Sequence, residues 1–289
     1  MGGSDSHTVC KEAYQLGEAE LTAIEIRLVD LLEQFPSCSG LTTVLLRTDN
    51  PLSDFVRTYE ASVFGAEGYD FYAGMEPYEQ ESFFLATVDL ENKVVAHVKR
   101  VVEARREQTH TQRVSLTGIE VVDDRLTALD ASENVSLQEI TEFHKIVDIK
   151  KCLNLTSNIQ TGRCKPSWEK PYSLISYKAV FKFTRVIGID NIFAYMNRGA
   201  IRSLGRLGVE FEKLAGKDFH LPMPGDPGRY DLKYEAICIP DTCHNQEAFT
   251  KEDPERPFTK LIAGLDVPLY WLDDLDAALS APGAMTAAD

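Results

Sequence analysis

The chain has 289 residues, 44% of them apolar, and a formal net charge of -15 at pH 7. That length and apolar content can bury a substantial core, and an acidic surface repels phosphate backbones, which argues against general binding to nucleic acid or to anionic membranes. No run of eighteen apolar residues occurs and the first ten residues lack the charged and apolar regions of a secretory signal, so the expectation is a soluble, cytoplasmic protein.

Six cysteines (Cys10, Cys38, Cys152, Cys164, Cys238 and Cys243) form no Cys-x-x-Cys pair. Cys238, Cys243 and His244 lack zinc-finger spacing, so reduced thiols and no metal are expected.

Apolar positions recurring at three and four predict an amphipathic helix from Cys10 to Phe35, stopped by the turn at Pro36 to Gly40. A short strand, TTVLLR, follows. A second helix starts with Asn50 as cap and Pro51 at the first helical position and is broken by Gly65 and Gly68. Three runs rich in β-branched and aromatic residues, SFFLATVD, KVVAHVKRVVE and RVSLTGIEVV, predict an antiparallel meander, with LEN as the first hairpin turn. A short helix near Leu137 to His144 precedes a strand, KIVDIKKCLNL. Then come a helix (Tyr172 to Ile187), the strand NIFAYM, a helix (Arg198 to Leu207), and the strands VEFEKLA and YDLKYEAICI. Strand, helix, strand, helix order requires a parallel crossover, so the class is α/β (α+β) with a mixed sheet. Residues 1–40 are read as a helical extension, 41–240 as the main domain and 241–289 as a partly disordered extension.

Charge is uneven. From Asp148 to Arg206 lie eleven of the thirty Lys and Arg residues but only three of the forty-five acids. An acid-rich chain that keeps such a segment has an anion-binding surface there, or a solvated face that balances charge. Lys178, Lys182 and Arg185 are spaced i, i+4, i+7, and Arg198, Arg202 and Arg206 i, i+4, i+8, so each set forms one stripe along its helix.

Asn197, Ala200 and Gly208 fall at the spacing of the Asn-x-x-Ala-x-x-x-Tyr-x-x-x-Gly pattern that follows the fifth strand of GNAT-fold acyltransferases, with Leu204 in the tyrosine position. Together with the VFGAEGYD helix end, the meander and IVDIKK, the chain resembles the branch containing autoinducer (acyl-homoserine lactone) synthases and N-acyl amino acid synthases. The resemblance spans about residues 50 to 240 and implies a splayed central sheet flanked by helices. Where that branch carries Glu-x-x-Arg on the fourth strand, this chain has Asp148 and Lys151. Where it carries an Arg three residues before Val-Phe, this chain has Glu60, with Arg57 one turn earlier.

The resemblance implies amide formation: an acyl or modified aminoacyl group passes from a carrier-protein or coenzyme A thioester to a small-molecule amine, with no resident cofactor. That chemistry needs a phosphate grip, donors for the oxyanion and a base. The usual phosphate loop keeps several glycines so that backbone N–H groups can approach the phosphate. Here only Gly162 is present, with Arg163, Lys165 and Lys170 nearby. Lys151, Gly162, Arg163, Lys165, Lys178, Lys182, Asn197, Arg198, Arg202 and Arg206 are therefore the candidate donor-binding residues. Acyl carrier proteins are acidic, so the basic stripes favour a carrier donor as partner.

For the base, Asp148 ranks first because the strand before the loop borders the acyl carbonyl in that fold; Glu103 and Glu120 follow. Leu204 cannot protonate the leaving thiol as a tyrosine would. The alternatives are an acyl-homoserine lactone-type signal synthase, disfavoured by the departures at Arg57, Asp148 and Lys151, and a catalytically idle module that binds a carrier protein.

Overall fold

The structure, a computed structural model, describes residues 15–35, 37, 39–66, 76–105, 151–167, 169–213, 219–221 and 232–273. The third meander run, the helix at 137–144, Glu120 and Asp148 lie outside them. The strands are β1 (Leu41–Arg47), β2 (Ser82–Asp89), β3 (Val94–Arg105), β4 (Lys151–Gln160), β5 (Asn191–Asn197), β6 (Glu212–Lys213), β7 (Phe219–Leu221), β8 (Leu232–Ile239) and β9 (Leu269–Trp271). The helices are α1 (Glu18–Leu32), α2 (Ser53–Ala66), α3 (Tyr172–Ile187), α4 (Arg198–Leu207), α5 (Thr242–Thr250) and α6 (Pro257–Gly264).

One mixed sheet runs β6-β8-β5-β4-β3-β2-β1-β9, with β7 beside β8. The hairpin read at LEN joins β2 and β3, which are antiparallel. The crossover required by the element order is β4-α3-β5, whose strands are parallel.

Side chains alternate across each strand, which divides the core in two. On one face Leu45, Leu85, Val101, Leu153, Ile192 and Ile237 pack with residues of α3, α4, α5 and α6. On the other, Val44, Leu46, Phe84, Ala86 and Val98 pack with α1 and α2. The segment 241–273 joins the same sheet, since β9 pairs in parallel with β1.

Local chemistry sets the helix ends. α1 starts at Glu18, later than the periodicity suggests, because Gly17 N–H donates to the Glu20 carboxylate 2.7 Å away and stands outside the first turn. Asn197 caps α4, its Oδ1 accepting from Ala200 N at 2.9 Å. Gly208 ends α4 at φ 95°, and Val209 N returns to Leu204 O at 3.1 Å, which closes the helix and delays β6 to Glu212. A Cβ on Gly208 would also stand 1.6 Å from Arg256 Nη1. Gly208→Ala is expected to cost about 1–2 kcal/mol, the penalty of a left-handed non-glycine residue, read as a lower urea midpoint at unchanged slope.

Candidate active site

β4 runs five residues past the end that its apolar pattern suggests, and those five residues, TSNIQ, form one arm of a fork in the sheet. β4 pairs with β5 only from Cys152 to Leu155, opposite Asn191 to Ala194. Beyond that, β4 continues to Gln160 with β3 as its partner, and β5 continues to Asn197 beside β8. The sheet therefore splits, and the β4 backbone groups facing the split have no strand partner among the described residues. Such groups seek a ligand or water.

A bulge marks the fork. Arg100 lies opposite Ser157 and Val101 opposite Leu155, so Thr156 is the extra residue. The insertion reverses the alternation. Ser157 turns to the α2 face, where its hydroxyl accepts from Arg100 N at 2.8 Å and donates to Glu60. Asn158 turns to the α3 face and donates to Ser173 Oγ at 3.1 Å.

Under α2 lies a buried ion network. Arg100 donates from Nε to Glu60 Oε2 and from Nη1 to Glu79 Oε2, both at 2.9 Å. Arg57 donates to the other Glu79 oxygen at 2.7 Å, to Thr48 O at 2.6 Å and to Asp54. Both guanidiniums lie on the Phe84 ring, at 4.7 and 4.5 Å from its centroid. Burial pushes the Glu60 carboxyl up, against the pull of Arg100 and the Ser157 hydrogen bond. Glu60 and Arg57, which depart from the acyltransferase pattern in sequence, thus belong to one network with Asp54, Glu79 and Arg100. The signal that could have found Arg100 was a pair of adjacent bases, Lys99 and Arg100, between the apolar residues Val98 and Val101 of β3.

The β4–α3 loop places the phosphate candidates. Gly162 is exposed with φ 77°, and Lys165 is exposed. Arg163 turns inward, donating to Tyr59 Oη at 2.8 Å and pairing with Glu18 at 2.9 Å and Glu25 at 3.3 Å. Lys170 pairs with Asp89 at 2.9 Å and Glu91 at 2.6 Å, and Tyr172 Oη donates to Asp89 at 2.7 Å. These acids hold the loop against α1 and the β2–β3 hairpin.

The basic stripes are placed differently from one another. Lys178 Nζ donates to Ile262 O at 2.9 Å and Leu265 O at 2.6 Å, so it caps the end of α6, and burial pulls its amine below the ordinary value. Lys182 and Arg185 are exposed in the last turns of α3, which leads to Asn191, opposite Cys152 at the closed end of the fork. Arg198 stands at the open end, directly after β5, 4.0 Å from Glu235. Arg202 and Arg206 continue from it along α4, exposed and without an ion-pair partner among the described residues. α6 lies beside α4 and adds exposed Lys260, with exposed Arg256 just before its first turn, 3.5 Å from Asp253, next to a groove of about 470 Å³ lined by Pro257, Lys260, Leu261, Gly264 and Leu265. Leu204 is fully buried in the core of α4.

Of the candidate bases and strand-borne donors, Glu103 occupies the β3 position opposite Leu153, and Lys151 opens β4 opposite Arg105. Both positions belong to the paired end of β4. Among the described residues no group of three or more His, Cys, Asp or Glu could hold a metal, and no helix is long and apolar enough to cross a membrane.

Neither a protein-family model nor a curated protein matches the sequence. Solved structures do match. The chain is similar to an N-acyl amino acid synthase from uncultured soil microbes, at 16% identity and TM-score 0.43 over 69% of this chain and 91% of that one. It is similar to a coenzyme-A-dependent acyl-homoserine lactone synthase solved with SAM and isopentyl-CoA, at 11% and 0.43 over 84% and 100%. An agmatine N-acetyltransferase matches at 9% and 0.40 over 68% and 99%.

Proposed function

We propose that the protein is an N-acyltransferase that moves an acyl group from a thioester, carried on a carrier protein, to a small-molecule amine. The observation that carries this reading is the fork: past Leu155 the β4 backbone faces an opening in the sheet, beside the helix whose Asn197, Ala200 and Gly208 resemble the acyltransferase pattern. A pantetheine arm is itself an amide chain and suits an unpaired strand edge. Its thioester would then lie by the Thr156 bulge.

In the reaction the amine nitrogen attacks the thioester carbonyl, the C–N bond forms, and the C–S bond breaks as the thiolate leaves. Backbone N–H groups along the open edge of β4 are suited to hold the oxyanion. One amine proton passes to a carboxylate, with Asp148, Glu103 and Glu120 as candidates, and the thiolate takes a proton from water. Leu204 contributes no proton, which a thiol leaving group tolerates near neutral pH.

A carrier donor is favoured over coenzyme A because Arg198, Arg202 and Arg206 form an exposed basic face at and beyond the open end of the fork, extended by Arg256 and Lys260. An acidic carrier helix complements that face. The test is amide formation from an acylated carrier protein and a panel of amines, followed by mass. Changing both Arg202 and Arg206 to Glu should raise KM for the carrier donor by at least about tenfold at low salt, with the gap closing as salt approaches about 0.5 M. KM for acyl-coenzyme A should change much less. Carrier binding without any amide product would instead identify the idle module, which the buried Leu204 favours.

A further inference from the structure

The α3 face of β3 carries a polar island in an otherwise apolar layer. Lys99 is fully buried, and among the described residues its Nζ has no hydrogen-bond partner. His97, two residues earlier on the same face, is 1% exposed, and its Nδ1 also lacks a partner among the described residues. Ser176, in the turn of α3 that carries Tyr177, is 1% exposed, with a hydroxyl that no described residue partners. Beside them, the Thr43 and Thr87 hydroxyls bond each other, Oγ1 to Oγ1 at 3.2 Å. Buried polar side chains are satisfied as a rule, so three orphans on one helix–sheet layer require an explanation.

Their location adjoins the fork. Lys99 lies opposite Asn158, on the stretch of β4 that has left β5. Its Nζ is 3.3 Å from the Tyr177 ring centroid, and the Tyr177 hydroxyl donates to Met196 Sδ at 3.8 Å, one strand across the opening. Tyr177 therefore spans the split from β3 to β5, with Lys99 beneath it. An aromatic face attracts an ammonium but offers no oxygen to accept its three donors.

We infer that Lys99, with His97 and Ser176, forms a carboxylate-binding site on the α3 side of the fork, so that one of the two substrates carries a carboxylate. The inference rests on the acyl-transfer reading for what enters the fork, but not for the site itself. A carboxylate supplies what the island lacks: it is acceptor-only when ionised, with two oxygens for the Lys99 amine, the His97 ring N–H and the Ser176 hydroxyl. The carboxylate belongs either to an amino-acid acceptor or to the far end of a dicarboxylic acyl group. Burial holds the Lys99 amine well below its ordinary value, and burial with the neighbouring Lys99 does the same to His97. Burial thus disfavours the charged form of both groups in the empty site, and a carboxylate that stabilises the Lys99 ammonium raises its proton affinity as it binds.

The experiment uses the full chain, wild type and K99M, a substitution that keeps length and burial but removes the donor. Titration calorimetry measures two pairs of probes that differ only in the carboxylate: adipoyl-pantetheine against hexanoyl-pantetheine, and phenylalanine against phenylalaninamide. Wild type should prefer the carboxylate member of one pair by at least about tenfold, with proton uptake, and K99M should bring that preference close to unity. Preference in the first pair assigns the carboxylate to the acyl group, and in the second to the acceptor. Equal affinities within both pairs for wild type, or a preference that K99M retains, overturns the inference. If K99M fails to fold, K99Q carries the same comparison. A preference that K99M abolishes in a protein that forms no amide would sink the acyltransferase reading and leave the carboxylate site standing.

Discussion

Arg100→Met is expected to destabilise the protein by about 3–5 kcal/mol, the cost of breaking a buried ion pair from one side. Among the described residues Arg57 and Arg100 face Asp54, Glu60 and Glu79, two cations against three carboxylates, and the Arg100 and Glu60 side chains are 0% exposed. Removing Arg100 leaves one cation for three acids and strands the Glu60 carboxylate in the core. Glu60→Gln does the opposite: it leaves two of each sign, and its amide oxygen still accepts from Arg100. That variant should cost less than about 1.5 kcal/mol, the worth of one ordinary hydrogen bond. Burial already raises the Glu60 pKa, so exchanging the carboxylate for a neutral amide removes a strained charge. Urea unfolding of the two variants side by side decides the matter. Equal losses, or a larger loss for Glu60→Gln, would mean that Arg100 is not the keystone of this network. The consequence reaches the fork, because Ser157 holds the bulge through its bonds to Arg100 N and Glu60.

Elements whose ends are fixed by neighbouring residues were legible in the sequence. α3 and α4 have the predicted limits because Gly188, Asn197 and Gly208 cap them locally, and β5 fills the gap between. β4 was misjudged because TSNIQ reads as loop. The Thr156 bulge breaks its period-two pattern, and on the open side of the fork Asn158 and Gln160 are exposed, so no apolar alternation survives to signal a strand. The short α5, α6 and β9 give little periodicity of their own, and β9 is fixed by pairing with β1, more than two hundred residues earlier.

The site was half legible. Basic character along α4 is a helical spacing and could be counted. The fates of Arg163 and Lys170 could not, because their partners Glu18, Glu25 and Asp89 lie far away in sequence. Lys178 is a similar case: its spacing placed it on a stripe, but the carbonyl ends of α6, about 85 residues later, claim its amine. The orphaned Lys99 left a trace, a charged pair within KVVAHVKRVVE, whose meaning depends on which face each residue takes.

Asp89→Asn is expected to cost about 2–3 kcal/mol at pH 7, within the range for charged hydrogen bonds in a buried setting. Asp89 is fully buried at the end of β2 and accepts from Tyr172 Oη at 2.7 Å, from Lys170 Nζ at 2.9 Å, and from the side chain and backbone of Asn92. Burial alone would raise its carboxyl, but the hydrogen bonds from Tyr172, Asn92 and Lys170 overrule burial and hold it below the ordinary value. A depressed carboxyl contributes stability above its unfolded pKa of about 3.9, and that contribution fades as pH falls through the folded value. Lys170 has the opposite sign. Although burial lowers its pKa, the bonds to Glu91 and Asp89 raise it on balance, so its share is present at neutral pH and is lost only as pH rises past its folded value. The gap between wild type and Asp89→Asn should therefore be widest between about pH 5 and pH 9 and narrow below about pH 4. Urea midpoints at pH 7 and pH 3.5 measure it, and a gap of the same size at both would remove Asp89 from this role. Because Lys170 and Tyr172 close the loop that follows β4, hydrogen exchange at residues 161–171 should accelerate in the variant while α4 stays protected. Faster exchange at both would mean that the variant loosens the whole sheet, not the wall of the fork.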